Sequence, residues 1–343
     1  MYRFYSITVL CLIAGILLLN ACDERNQSSS PIVTLSGFTM GTSYNIKLNH
    51  ETDNIDSKLL KSDIDEILLQ LNNQMSTYQE DSELSKINQS QTLEWINISA
   101  DLFTVINTAI SISNKTTGVF DITIGPIVNL WGFGPTEQTE QIPTDENIAA
   151  TLESTGYQYL HLRKSPLALK KDKEDIYIDL SGIAKGYAVD KIAARLDQEA
   201  INNYMVEIGG EIKVKGVNHQ NIPWQIGIER PVIGHRSAQK IINLDNLAMA
   251  TSGDYRNYFE KNGIYYSHAI NPKTGRPVTH QLTSVTIFHE TAMYADALAT
   301  ALLVMGPEAG KQLAEQENWA AFFIIRNKNN FIEIKTKAFE QLE

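Results

Sequence analysis

The chain has 343 residues, 43% of them hydrophobic and 20% charged, which is the composition of an ordinary globular protein. This length is enough for one large domain or for two that are closely joined. The formal net charge of −11 argues against nucleic acid and anionic lipid as general partners of the surface. An anionic ligand therefore needs local help from a metal ion or from backbone N–H groups.

The first 21 residues have the pattern of an export signal. Arg3 supplies a positive charge, and the apolar run from Ile7 to Leu19 is too short to span a bilayer. The run ends in Leu-Asn-Ala-Cys at residues 19–22, which resembles a bacterial lipobox. We therefore predict a signal peptide over residues 1–21, removed before an acylated Cys22. An ordinary secretory signal or an uncleaved anchor is the alternative.

Cysteine usage supports the lipid anchor. The other cysteine, Cys11, lies inside the apolar run, so the mature chain keeps only Cys22 and forms no internal disulfide. Asp23 resembles the signal that keeps such lipoproteins in the inner membrane. Residues 22–32 are then a polar tether and residues 33–343 the folded domain. The expected location is the periplasmic face of the cell inner membrane.

The folded domain opens with a predicted strand pair, Val33–Leu48, which has a turn at Gly37 and a Met40-Gly41-Thr42 step between its extended pieces. Apolar residues at helical spacing predict helices over Ile55–Asn73 and Leu102–Thr116. An aromatic, glycine-rich segment follows from Val119 to Pro135. Its Trp131 and Phe133 either plug a core or stack on a flat ring system.

The stretch Asp179–Asp190, DLSGIAKGYAVD, has the pattern of a strand, a tight glycine turn and a helix start. We predict a strand over Asp175–Leu180 and a helix from Ile183. Unpaired N–H groups and the helix dipole make such a joint an anion site. Gly186 lets a ligand or a backbone segment approach closely. An ordinary strand–turn–helix joint remains the alternative.

Strands dominate the C-terminal half. The segment Tyr204–Lys215 alternates on both sides of Gly209-Gly210 and predicts a hairpin. Further predicted elements are the strands Trp224–Glu229, Ile241–Leu244 and Ser284–His289, the helix Thr291–Met305, and a closing hairpin of Phe322–Ile325 with Phe331–Lys335. Because strands and helices are segregated, we expect an α+β fold with mixed, largely antiparallel sheets flanked by helices.

Asp296 and Thr300 lie four residues apart in the last long helix, which puts a carboxylate and a hydroxyl on one face. Alanines around them leave room for a ligand. Such oxygens, together with water, backbone carbonyls and substrate phosphates, suit Mg²⁺. A cap-like or surface Asp–Thr pair is the alternative.

These parts together resemble the FAD:protein FMN transferases, also called the ApbE family of periplasmic flavin-transfer lipoproteins. The resemblance runs from about Met40 to Met305. Its motifs are Met75–Tyr78 with Asp81–Leu84, Phe120–Pro126 with Trp131–Gly134, Asp179–Asp190, Glu207–Glu211, Thr251–Arg256, Ser267–Pro272 and Ala295–Thr300.

The resemblance implies an ApbE-like fold and a Mg²⁺-dependent reaction in which a protein threonine attacks FAD, keeps FMN as a phosphoester and releases AMP. Asp296, Thr300 and the backbone carbonyls of the Gly182-to-Ala184 turn match the metal site. The positions that match flavin and adenosine contacts are Met40, Tyr78, Val119, Phe120, Asp121, Asp179, Lys185 and Ile270.

His268 lies inside a family motif and is the best candidate for the general base, with a structural histidine as the alternative. Ala299 stands where some relatives carry a second acid, which favours one Mg²⁺ over two. The resemblance implies acceptors with a Ser/Asp-Gly-Ala-Thr-like motif, such as subunits of Nqr-type NADH:quinone reductase and Rnf-type complexes. Hydrolysis of FAD and non-enzymatic flavin binding by a lipoprotein remain open.

Overall fold

The computed structural model describes residues 32–49, 56–134, 142–232, 234, 237–255, 258–261, 264–328 and 330–343. The predicted signal peptide, Cys22 and Arg256 lie outside this part of the chain. Within it, no helix is both long and apolar enough to cross a membrane.

The central feature is an eight-stranded sheet in which every neighbouring pair is antiparallel. In spatial order its strands are β1 (Ile32–Thr39), β2 (Thr42–Asn49), β6 (Tyr204–Ile208), β7 (Glu211–Lys215), β10 (Ala248–Gly253), β15 (Leu282–His289), β16 (Ala320–Asn327) and β17 (Asn330–Lys335). Smaller sheets join β3 (Ile96–Asn97), β5 (Leu167–Lys171) and β4 (Leu160–Lys164); β8 (Trp224–Glu229) and β9 (Ala238–Leu244); β11 (Tyr258–Lys261) and β12 (Ile264–Ser267); and β13 (Ile270–Asn271) and β14 (Arg276–Pro277). The expected α+β class is confirmed.

The described residues form nine α-helices, most of which contribute to the core on one face of the large sheet, whereas the last contributes to the core on the other face. They are α1 (Ser57–Met75), α2 (Glu83–Gln89), α3 (Ala100–Lys115), α4 (Gly125–Leu130), α5 (Asp145–Leu152), α6 (Ala184–Gln198), α7 (Ala292–Met305), α8 (Pro307–Gln316) and α9 (Lys337–Glu340). Helix α7 packs on β10, β15 and α6 and is buried on nearly all sides, which is why its sequence is apolar all round.

The middle of the large sheet is buried on both faces. In β15, Val285 and Ile287 pack toward the helices, whereas Phe288 joins a second core formed with the β8–β9 ribbon and α9. In β16, Phe323 packs toward the helices and Phe322 joins the second core. Successive side chains of a strand point to opposite faces, so both faces need apolar residues here. This explains the nearly continuous apolar sequence of these strands.

Helices α6 and α7 meet where α7 begins. A Cβ at Gly186 would lie 2.3 Å from the carbonyl oxygen of Ala292, so only glycine fits this contact. The carboxylate of Asp190 accepts hydrogen bonds from the backbone N–H groups of Ala292 (3.0 Å) and Met293 (2.9 Å). Asp190 thus caps α7 from another helix, while Thr291 makes no side-chain cap.

The predicted turn at Gly37 is wrong, because Gly37 lies inside β1 opposite Tyr44 and the chain turns at Met40 and Gly41 instead.

The predicted strand Asp175–Leu180 is also wrong. Residues 176–180 are in no sheet, although Ile176, Ile178 and Leu180 are buried in the alternating pattern that predicted one. The backbone of Ile178 instead pairs with the side-chain amide of Asn88, at 2.8 and 2.9 Å. A side chain therefore supplies the partners that a neighbouring strand would supply.

Candidate active site

A cleft of about 610 Å³ lies between the start of α6, one side of α7, the β6–β7 turn and the loops on either side of α4. This volume falls within the range of small-molecule sites, roughly 300–1,000 Å³. Most of the residues singled out from the sequence line it: Tyr78, Val119, Phe120, Asp121, Asp179, Gly182, Lys185, His268, Ile270, Asp296 and Thr300.

Two of the predicted residues are not among those lining the cleft. Met40 is in the β1–β2 turn with a φ of 49°, and it packs against the main core. Ala184 is the first residue of α6 and is buried. Its predicted role uses a backbone carbonyl, so side-chain burial does not bear on it.

The start of α6 has the geometry that the sequence predicted for the turn. The Ser181 N–H donates to Oδ1 of Asp179 at 2.8 Å, and Ile183 then serves as the N-cap without a side-chain cap bond. The helical ladder begins with the Tyr187 N–H donating to the carbonyl of Ile183 at 3.1 Å. Gly182 precedes this ladder, and its carbonyl accepts no backbone hydrogen bond within the described residues. The helix therefore does not use this backbone oxygen.

Asp296 is buried at the centre of the cleft, with 3% of its surface exposed. Its Oδ2 accepts a 3.0 Å hydrogen bond from the Gly186 N–H, one of the donors that a helix start leaves without an intrahelical partner. Burial raises the pKa of Asp296, while the Lys185 ammonium and the Gly186 N–H oppose that rise.

Thr300 lies beside Asp296 on the same face of α7, as the four-residue spacing predicted. Its Oγ1 is 3.1 Å from Oγ of Ser252 on β10. A Cβ at Gly182 would lie 3.4 Å from the Thr300 hydroxyl, so the glycine keeps the space beside this oxygen open. Sequence reasoning had not assigned a role to Ser252.

Lys185 is the one lysine or arginine among the described residues that line the cleft. Its Nζ lies 3.9 Å from Oδ2 of Asp296 and 3.6 Å from Oε2 of Glu211. Burial by itself lowers the pKa of Lys185, but the charges of Asp296 and Glu211 outweigh it and the pKa is raised. The ammonium therefore stays charged.

Glu211 is a buried titratable residue of the cleft to which the sequence alone assigns no role. It is 4% exposed, and its Oε2 has no hydrogen-bond partner within the described residues. Burial raises the pKa of Glu211 to about 8, because the Lys185 ammonium offsets only part of that effect. Glu211 pairs with the fully buried Ile208 across the Gly209-Gly210 turn. Residues directly opposite in a hairpin share a face, so this pattern could have placed Glu211 inside.

Asp121 organises the loop before α4. Its carboxylate accepts hydrogen bonds from the N–H and hydroxyl of Thr123, at 2.8 and 2.7 Å, and from the N–H of Tyr157 at 3.0 Å. Burial raises the pKa of Asp121, while these donors oppose the rise. The loop that it holds contributes Val119 and Phe120 to the cleft.

His268 follows β12 and borders the cleft opposite α7. Its ring meets the edge of Phe133, with centroids 6.3 Å apart, and Phe133 packs on Phe259. Trp131 instead fills a core, where its Nε1 donates to the carbonyl of Gly275 at 2.7 Å. Of the two aromatic residues, Phe133 lines the cleft and Trp131 plugs a core.

The oxygens at the cleft fit a cation that also binds phosphate. Among the described residues, no three His, Cys, Asp or Glu side chains cluster as a complete metal site. Mg²⁺ needs no such cage, since it takes one or two carboxylates and completes its shell with water and substrate phosphates. Oε2 of Glu211, which accepts no hydrogen bond within the described residues, and the open space beside Thr300 are compatible with a bound cation. On geometry alone, the chain falls in the class of α+β proteins with a small-molecule cleft beside a helix start.

The chain belongs to the ApbE family, whose family model matches residues 40–323. It is 45% identical over 328 residues to the FAD:protein FMN transferase of Vibrio cholerae and 43% identical over 335 residues to that of Haemophilus influenzae. Each alignment covers 96% of both chains. The solved structure of the Vibrio cholerae flavin transferase ApbE superposes with a TM-score of 0.85 at 44% identity, covering 91% of this chain and 99% of that one. The ApbE-like fold is thereby confirmed.

Proposed function

We propose that this chain transfers the FMN moiety of FAD to a threonine hydroxyl of target proteins. The threonine oxygen attacks the phosphorus of the FMN half and forms a P–O bond. The bond between that phosphorus and the bridging oxygen breaks, and AMP leaves with the bridging oxygen. The hydroxyl proton passes to a base in the protein. The relatives that share nearly the full chain are named for this activity.

One observation carries the proposal. Asp296, Thr300, the turn at Gly182 and His268 come from three distant parts of the sequence and line one cleft. A cation site, a phosphate-facing helix start and a candidate base are what displacement at phosphorus needs, because positioning and charge neutralisation do most of the work. Storage of a flavin would need no base.

Mg²⁺ fits this cleft as part of the proposal. Asp296, Thr300 and the backbone carbonyls of Gly182 and Ala184 would hold it, and when bound it would neutralise charge on the pyrophosphate. Among the described residues of the cleft, Lys185 is the one lysine or arginine, and it lies beside Asp296 and Glu211. A bound cation would add the positive charge that favours an anionic dinucleotide there.

The remaining residues bind and orient FAD or move the proton. Met40, Tyr78, Val119, Phe120, Asp121, Asp179, Lys185 and Ile270 are the proposed flavin and adenosine contacts. His268 is the proposed base, since neutral imidazole accepts a proton near neutral pH. Its edge contact with Phe133 fixes the ring at the border of the cleft.

The acceptor and location belong to the same proposal. The acceptors are proteins with a Ser/Asp-Gly-Ala-Thr-like motif, of the kind found in Nqr- and Rnf-type subunits. Acylation at Cys22, supported by the lipobox-like residues 19–22, would hold the enzyme in the inner membrane facing the periplasm. Such an anchor would keep the cleft close to membrane-bound acceptors.

The test uses the full chain with FAD, Mg²⁺ and an acceptor peptide, beside the same peptide with valine in place of threonine. We expect an FMN-sized mass gain on the threonine peptide alone, with one AMP released per peptide modified. AMP release with free FMN and an unmodified peptide would identify a hydrolase. FAD binding without turnover would identify a binding protein.

A further inference from the structure

The Lys185 ammonium lies between two buried carboxylates from different parts of the fold. Asp296 is on α7 and Glu211 is at the start of β7, and both contact the same Nζ, at 3.9 and 3.6 Å. We call Asp296 and Glu211 the carboxylate pair. The exposed fraction of the side chain is 27% for Lys185, 4% for Asp296 and 6% for Glu211. Of the three, only Lys185 has room to move into the cleft.

Lys185 is held less closely than the lysines of two other partly buried ion pairs, and its Nζ donates a long, 3.5 Å hydrogen bond to the carbonyl of Ser181. Lys213 contacts Asp190 at 3.0 Å and Lys191 contacts Asp101 at 2.9 Å, which are hydrogen-bonded ion pairs. Both Lys185 distances are longer, and Oε2 of Glu211 has no hydrogen-bond partner within the described residues. The ammonium therefore neutralises the pair by charge, without committing to either acid.

The cluster of Lys185, Asp296 and Glu211 has more acidic groups than basic ones. When both acids are ionised, which for Glu211 requires a pH above its pKa of about 8, two carboxylates and one ammonium leave the cluster with a net charge of −1 in a buried place. An uncompensated buried charge is costly, so the cluster favours any further positive charge that reaches it. A divalent cation bound to Asp296 would also repel the Lys185 ammonium, whose Nζ lies 3.9 Å from Oδ2 of Asp296.

We infer that Lys185 is the counter-cation of the carboxylate pair in the metal-free protein, and that it competes with the divalent cation for Asp296. Glu211 acts as a positioning residue, since it gives the ammonium a second partner. An anionic substrate that draws Lys185 into the cleft then frees Asp296, so substrate and metal strengthen each other's binding. This inference rests on the metal site proposed above.

The experiment measures Mn²⁺ binding to the metal-free full chain without flavin, by the EPR signal of free Mn²⁺, under anaerobic conditions. The pH is set above the Glu211 pKa of about 8. Lys185→Met should bind Mn²⁺ about tenfold tighter or more, because a nearby positive charge is lost. Glu211→Gln should bind it about tenfold more weakly, because a negative charge is lost and Lys185 settles on Asp296. Lys191→Met, the same change elsewhere on α6, should bind as the parent does.

A second titration adds FAD. The parent should gain Mn²⁺ affinity, and Lys185→Met should gain several-fold less, because it has no ammonium to draw away. Equal or weaker Mn²⁺ binding by Lys185→Met overturns the inference. If Lys185→Met does not fold, the test rests on Glu211→Gln. Mn²⁺ binding by Glu211→Gln that equals the parent's would then overturn the inference. A parent that binds no Mn²⁺ even with FAD refutes the proposed metal site itself, which is a different result.

Discussion

The backbone N–H of Gly186 donates to Oδ2 of Asp296 at 3.0 Å, joining residues 110 apart in the sequence. One glycine thus performs two tasks. Its missing side chain admits the carbonyl of Ala292, and its N–H fixes the carboxylate that faces the cleft. The position of Asp296 therefore depends on how closely α6 and α7 approach.

Gly186→Ala should disturb this approach. The new Cβ would meet the Ala292 carbonyl at 2.3 Å, so the helices must separate, at a cost of about 1–3 kcal/mol or more in unfolding free energy. Activity should fall further than stability, because Asp296 moves with α7. Chemical denaturation and transfer assays on one preparation measure both. Gly227→Ala is the control for the unfolding free energy alone, since its Cβ would make an ordinary 3.5 Å contact but Gly227 lines the cleft. An equal loss of unfolding free energy in the two variants would contradict the close approach of α6 and α7 at Gly186.

Asp296→Asn should separate activity from stability. It removes the charge that faces the proposed cation, so Mg²⁺-dependent turnover should fall sharply. The pKa of Asp296 is raised by burial, which means that its ionised form is costly in the folded protein. The metal-free variant should therefore be as stable as the parent or more stable. Thermal melts in chelator and turnover against Mg²⁺ concentration test this, and full activity at limiting Mg²⁺ would place the cation elsewhere.

His268→Asn should separate binding from chemistry. If His268 takes the threonine proton, the variant should bind FAD as the parent does, yet transfer FMN slower by a factor of about 10²–10⁴. Flavin fluorescence measures the FAD affinity, and the transfer rate is measured at a saturating acceptor concentration. Parallel losses in both would point to a structural histidine near Phe133.

Glu211 should make stability depend on pH. Its pKa in the folded protein is about 8, above the ordinary value of 4.5, so the folded state holds this proton more tightly than the unfolded state. The stabilisation is complete below about pH 4.5 and is lost as the pH rises through 8. Unfolding free energies of Glu211→Gln should lack this decline when compared with the parent across that window. Parallel pH profiles would mean that Glu211 titrates normally.

Cys22→Ala should leave the protein without acyl chains, either soluble or held by an uncleaved signal. The expectation rests on the junction cysteine at the end of the apolar run. Mass spectrometry of the membrane and soluble fractions measures it. A variant that still carries acyl chains would rule out the lipobox interpretation.

The sequence predicted the parts of the site that depend on local spacing. Asp296 and Thr300 share a helix face because they are four residues apart, and the turn at Gly182 follows from its glycine and the Asp179 side chain. Contacts made across the fold could not be predicted in this way. The Asp190 cap on α7 needs helix docking, and the segment 176–180 looked like a strand because nothing local reveals the Asn88 side chain as its partner.

The Asp190 cap also sets an order of events for the growing chain. Ala292 and Met293 receive it from residues more than 100 positions earlier, so α7 is fixed only after the C-terminal part of the protein has docked. A growing chain that has reached residue 200 contains the helix start at Ala184 but lacks Asp296. The two sides of the cleft therefore come together only when synthesis is nearly finished.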